Sequence, residues 1–182
     1  MYINYKQLML TADKLCYYSK SKNVDAGKGT NEFVNDSSMY KELNKIDNWR
    51  KILSNFYTEP FIYEDKTYNS IEHAFQAQKI ALVNKEKAEY FTINSNHLIG
   101  ISDGSVAQKN RKLVVLNKEQ LEYWNTIKHD IMKKITLQRI LQSKIYKKIL
   151  LLTKKSELWH CVIRKGIVRN IYLENLRDNC ME

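Results

Sequence analysis

Asn69-Ser70-Ile71-Glu72-His73-Ala74-Phe75-Gln76-Ala77-Gln78-Lys79-Ile80-Ala81-Leu82 is the stretch on which the fold turns. Ile71, Ala74, Phe75, Gln78 and Leu82 recur at helical spacing, which predicts a helix packing one face on a core and leaving the other polar. Glu72, Gln76 and Lys79 stand at i, i+4 and i+7, so a carboxylate, an amide and an amine share one stripe, with His73 beside them in the first turn. That set suits cleavage of a bond to a sugar. A carboxylate can stabilise an oxocarbenium-like centre or activate water, and an amine of lowered pKa can attack a ring-opened aldehyde to form a Schiff base. A plainer reading competes with this one. With Asn69 as cap, Glu72 takes the third helical position and closes a capping box, and Lys79 is a surface lysine. Spacing alone favours the cap.

Upstream, Ile52-Leu53, Phe56-Tyr57 and Phe61-Ile62-Tyr63 are aromatic-rich pieces separated by Glu59-Pro60 and Glu64-Asp65-Lys66, the pattern of short strands joined by turns. Ser54, Asn55 and Phe56 set a polar pair beside a ring, fit either to hold a substrate edge or to form a turn entering a strand. Downstream, Asn117 and Gln120 form a capping-box pair that starts a helix reaching about Leu141, with Trp124, Ile127, Ile131 and Ile135 as its inward stripe and Trp124 a core residue. Lys144 to Leu152 reads as a further helix. Leu158 to Asn170 is strand-like. Toward the start, a short helix is expected near Gln7 to Cys16, followed by a polar loop from Ser19 to Asp36. The expected architecture is α+β: a predominantly helical single domain with a few short strands, residues 1–48 forming an extension packed on a domain of residues 49–182.

A length of 182 residues with 43% hydrophobic content suits one compact domain. The cysteines, Cys16, Cys161 and Cys180, are odd in number and lack CxxC pairing, so a reducing, cytoplasmic setting is expected rather than a disulfide framework. No signal peptide and no membrane span are read in the chain. His97, His129 and His160 lack metal-ligand spacing, and neither metal nor cofactor is expected. Ala26-Gly27-Lys28-Gly29-Thr30 is rejected as a phosphate loop because the glycine and lysine order is wrong.

The formal net charge is +10. Residues 131–155 hold eight basic side chains and no acid, Lys133, Lys134, Arg139, Lys144, Lys147, Lys148, Lys154 and Lys155. Such a block is either a solvated lysine face or a surface that contacts nucleic acid or attracts phosphorylated molecules. Lys109, Arg111 and Lys112 form a smaller cluster suited to phosphate.

Taken as a set, Leu53-Ser54-Asn55-Phe56-Tyr57, Lys66-Thr67-Tyr68, Glu72 to Lys79, Tyr123-Trp124, Lys128 and Ile131-Met132 resemble the NADAR (YbiA-like) family. Tyr17-Tyr18-Ser19-Lys20-Ser21, Gly27-Lys28-Gly29 and Trp49-Arg50 resemble its extended version, so the likeness spans roughly residues 15 to 178. The resemblance implies hydrolysis of N-glycosidic bonds, either in ribosylamine-phosphate intermediates of riboflavin synthesis or between ADP-ribose and guanine in nucleic acid. A non-catalytic module binding ADP-ribose or nucleic acid is the alternative from another class. By motif position Glu72 corresponds to the catalytic glutamate, Lys79 to the lysine closing the helix motif and Trp124 to a functional tryptophan. Ser54, Asn55, Phe56, His73, Gln76, Arg111 and Arg164 are expected to bind substrate. One departure stands out: where many bacterial members carry a late Trp-Gly-x-Gly element, this chain has Leu158-Trp159-His160-Cys161-Val162-Ile163-Arg164-Lys165-Gly166. Arg164 and Arg169 are expected to close the site over a phosphate instead.

Overall fold

A computed structural model describes residues 11–162 and 166–181. The chain runs through strand β1 (Lys14–Tyr17), helices α1 (Lys41–Asn44) and α2 (Trp49–Ile52), and a hairpin of β2 (Phe61–Tyr63) and β3 (Lys66–Tyr68). Helices α3 (Ile71–Ala81), α4 (Lys85–Glu89), α5 (Gly104–Lys109), α6 (Lys118–Gln142) and α7 (Lys144–Leu152) follow. Strands β4 (Glu157–Val162) and β5 (Gly166–Arg169) and helix α8 (Ile171–Asn179) complete it. The result is the expected helix-dominated α+β fold with two small sheets. Helix α3 lies at the centre, flanked by α4, α5 and α6.

The expected helical start at Gln7 to Cys16 does not stand where it is described: Lys14–Tyr17 is a strand, and residues 7–10 lie outside the described residues. Its partner is remote. β1 pairs in parallel with β4, setting Tyr17 opposite His160, and β4 pairs antiparallel with β5. Leu15, Cys16 and Tyr17 are all buried, so both faces of β1 find packing and the tertiary partner overrides local propensity.

Of the three aromatic pieces upstream of α3, Phe61–Tyr63 alone is a strand. Ile52-Leu53 closes α2, and Phe56-Tyr57 belongs to consecutive turns in which Ser54 N–H donates to Lys51 O and Tyr57 N–H to Ser54 O. The short pieces could not be told apart by hydrophobicity alone. The long helix behaves as its cap predicts: Asn117 and Gln120 exchange both bonds of a capping box.

The polar segment before α1 is organised around a buried ion pair. Both oxygens of Glu32 accept from Arg50, at 2.6 and 2.7 Å, and both side chains are almost wholly buried. Glu32 also accepts from the backbone N–H groups of Cys16, Gly27 and Gly29. A side chain at Gly29 would strike the Glu32 carboxylate, and Gly27 has φ +87°. The loop amides thus turn inward onto a carboxylate, the opposite of a phosphate cradle.

In the basic block, Arg139 is corrected from surface to core. It is buried beneath Tyr57, Phe61 and Tyr146 and paired with Glu59, to whose carbonyl it also donates. Lys133, Lys134, Lys144, Lys147, Lys148 and Lys155 remain exposed. Among the described residues no helix is long and apolar enough to cross a membrane.

Candidate active site

Helix α3 is capped by Ser70, one residue later than the sequence suggests, and its hydroxyl accepts from His73 N–H at 3.3 Å. Glu72 therefore sits at the second helical position and cannot close a capping box. The residue that does face the cap is His73. Its Nδ1 lies 2.7 Å from Ser70 Oγ and its Nε2 2.8 Å from the Ile99 carbonyl. A carbonyl only accepts, so Nε2 carries the proton and Nδ1 accepts from the serine hydroxyl. Burial holds the His73 pKa below its ordinary value, and the ring is neutral. The face of α3 expected to be polar is thus largely buried, with Glu72, His73 and Gln76 all enclosed.

With His73 serving the cap, Glu72 is released to other work. Its backbone N–H donates to the Asn55 carbonyl at 3.0 Å, fastening the start of α3 to the turn that carries Ser54, Asn55 and Phe56. Ser54 Oγ accepts from Phe56 N–H at 3.2 Å and holds that turn closed. From the other side, Gly104 opens α5 against Phe56 so closely that a side chain there would meet Phe56 Cα at 2.4 Å. These contacts form one wall of a cleft of about 420 Å³ lined by Ser54, Asn55, Phe56, Glu72, Gln108 and Arg111. Tyr18, Ser19, His160 and Cys161 complete its lining.

The Glu72 carboxyl is buried beside this cleft, and desolvation raises its pKa above the ordinary carboxylate value. Two groups oppose the rise: Gln76, whose amide donates to Oε1 at 2.8 Å, and the positive charge of Arg111. Lys79, two turns along α3, has its pKa lowered by burial and then by the same Arg111. Arg111 thus acts on both groups, favouring the carboxylate form of one and the neutral amine of the other.

Placement of the expected residues is uneven. Ser54, Asn55, Phe56, Glu72 and Arg111 line the cleft together. Gln76 lies behind Glu72 and reaches it directly. Lys79 and His73 are outside the lining, as is Trp124, which is buried against Phe75 with ring centroids 5.1 Å apart. Arg164 lies outside the described residues. Arg169 is taken up by Glu157 at 2.8 Å and Glu174 at 2.9 Å, which corrects its expected role over a phosphate. Gln108, His160 and Cys161 were not singled out as site residues from sequence. His160 arrives through the pairing of β4 with β1, stacks on Tyr17 at 5.3 Å and has its pKa lowered by burial. No local spacing marks it.

Residues 39–166 match the family model described as the NADAR domain. The E. coli protein YbiA, solved by NMR, is similar in fold, with a TM-score of 0.56 and 21% identity over 72% of this chain and 79% of that one. No curated protein matches the sequence. The family match includes the whole of α3 and the wall built on Asn55, Phe56 and Arg111, and the chain belongs to the NADAR domain family.

Proposed function

We propose that the protein is an N-glycosidase that hydrolyses the bond between ribose C1 and nitrogen in phosphorylated ribosyl substrates, with ribosylamine-phosphate intermediates of riboflavin synthesis as the first choice. Membership of the family and the YbiA-like fold support a glycohydrolase-type function in general. The observation that carries the reading here is Glu72: a buried carboxyl of raised pKa facing an open cleft, with one oxygen engaged by Gln76. Such a group holds its proton to higher pH than an ordinary carboxyl and can deliver it to the departing nitrogen, or as carboxylate draw a proton from the attacking water. Either way water adds at C1, the C1–N bond breaks, and the nitrogen leaves with a proton. Arg111 supplies the charge that receives a phosphate in the same cleft. Lys79, with its lowered pKa, is the candidate for imine formation with a ring-opened sugar, a step that expels water and is reversed by it.

A second reading, removal of ADP-ribose from guanine in nucleic acid, draws on the exposed lysines of α6 and α7, which offer a surface for a phosphate backbone. A silent binding module would need no buried carboxyl of raised pKa in the cleft, and Glu72 argues against it. The free cysteines, Cys16, Cys161 and Cys180, suit a reducing cytoplasmic compartment. Incubation with a ribosylamino-pyrimidine phosphate and, separately, with an ADP-ribosylated guanine oligonucleotide separates the readings. Turnover of the first alone supports the riboflavin-type substrate, turnover of the second alone replaces it, and turnover of neither leaves the binding module.

A further inference from the structure

His160 reaches the Glu72 cleft from β4, and its ring is held by a single platform. Tyr17, its register partner on β1, stacks on it with centroids 5.3 Å apart and planes 24° from parallel. The Tyr17 ring is buried and its hydroxyl accepts from Asn170 Nδ2 at 2.6 Å, so the platform is fixed at both ends. A stack orients an imidazole but leaves free its edge, where both nitrogens lie. Both nitrogens of His73 are spent, on Ser70 and on the Ile99 carbonyl. Among the described residues neither nitrogen of His160 has a hydrogen-bond partner. A shielded polar group without a protein partner takes one from water or a ligand, and here the cleft supplies the room. The titratable and charged neighbours are Tyr17 and Tyr18 from β1 and the residue after it, Glu72 from α3, Arg111 from the turn after α5, and Cys161 of its own strand. On β5 the residue paired with it is the uncharged Val168, and α8 brings Tyr172 close to Tyr17. Glu157 and Glu174, the acids of β4 and α8, are engaged by Arg169. Burial therefore lowers the His160 pKa with no charge opposing it.

We propose that His160 is the general base of the hydrolysis: resting on the glycosidase reading of the cleft, it accepts a proton from the attacking water while Glu72 gives one to the departing nitrogen. The water oxygen bonds to C1 as its proton passes to an unprotonated ring nitrogen of His160. The C1–N electron pair leaves with the nitrogen, which takes the Glu72 proton. Imidazolium and carboxylate remain, and one proton moves from the first to the second, directly or through solvent, to restore the starting forms. In the lining, a carboxyl and an imidazole are the two groups whose ordinary pKa lies below neutrality, and burial shifts each toward the form its part requires. His160 stands in the late segment where this chain departs from Trp-Gly-x-Gly, so the base comes from the part of the chain that leaves the resemblance.

Steady-state kinetics with the ribosylamino-pyrimidine phosphate tests this role, or with the ADP-ribosylated guanine oligonucleotide if wild type turns over that one alone. The kcat/KM of His160→Ala should fall by about 10²-fold or more. The acid limb of the wild-type profile, where protonation of the imidazole removes the acceptor, should vanish in this variant. Added imidazole should restore its turnover at a rate that follows the free-base concentration. His160→Phe keeps a ring on Tyr17, so it should lose the same activity, melt no lower than wild type and gain nothing from imidazole, because its own ring fills the space. His129→Ala, at an exposed position of α6, should turn over as wild type does. Full turnover by either His160 variant, an acid limb retained in both, or a folded His160→Ala that imidazole leaves inactive would overturn the proposal while leaving Glu72 and the glycosidase reading in place. Turnover of neither substrate by wild type removes that reading, and the role of His160 with it.

Discussion

Gln76 donates its side-chain amide to Oε1 of Glu72 at 2.8 Å, while among the described residues Oε2 has no hydrogen-bond partner. One turn of α3 therefore orients the carboxyl and leaves its second oxygen for the cleft. Removing that donor takes away a bond that favours the charged form. If Glu72 delivers the proton to the leaving nitrogen, the alkaline limb of the kcat/KM profile of Gln76→Met should move to higher pH. A limb that stays in place would assign it to another group.

Glu72→Gln is expected to reduce turnover by roughly 10²-fold or more, the scale of a positioned acid or base. The same change should stabilise the protein. Burial raises the folded-state pKa of Glu72 above its unfolded value, so the native state binds the proton more tightly and loses stability as pH climbs above the ordinary carboxyl range. Without that titration, Tm at neutral pH should rise by a few degrees, about what 1 kcal/mol gives in a domain of this size. A lower Tm would show that the carboxylate is a structural tie.

Lys79 is tested by borohydride. Reduction during incubation with a ring-opening ribosyl substrate should leave a covalent adduct on wild type and none on Lys79→Arg, which keeps the charge but cannot form an imine. An adduct on both proteins would place the reactive amine elsewhere, and an adduct on neither would retire the imine route.

Breaking the Glu32–Arg50 pair should be costly, because the surviving charge stays buried among the amides of residues 16, 27 and 29. Arg50→Met is expected to lose about 3–5 kcal/mol in chemical denaturation. Replacing both, as Glu32→Gln/Arg50→Met, should recover part of the loss. A double variant no better than the single would mean that the packing of Arg50, not its charge, is what the fold uses.

Buried neutral histidine makes the fold sensitive to acid. Burial holds the folded pKa of His73 below its usual 6.5, so as pH drops through that value the unfolded chain takes up a proton first and stability falls, by at most about 1.4 kcal/mol per pH unit for this one group. His73→Gln should show a shallower decline of denaturation midpoint below neutrality. His160, buried and likewise shifted downward, contributes a parallel slope that the variant retains.

Local chemistry in the chain was enough for the long elements. The Asn117–Gln120 cap and the apolar stripe of α6, the run of α7, and the spacing of Ile71, Ala74 and Phe75 in α3 all act between residues close in sequence, which is why they are legible there. The motif set around Glu72 likewise marked the family and Ser54, Asn55, Phe56 and Glu72 in the cleft lining, while Arg111 was read from the basic cluster of Lys109, Arg111 and Lys112. Three things needed the folded molecule. Residues 14–17 became a strand because β4 lay ready to pair with them, and that same pairing delivered His160 and Cys161 to the cleft. The cap of α3 moved to Ser70 because the Ile99 carbonyl holds His73 from across the core, which settles that Glu72 is no capping residue. The raised pKa of its carboxyl followed from burial, which outweighs the opposing pull of Gln76 and Arg111, since desolvation depends on neighbours in space and leaves no trace in the spacing of a chain.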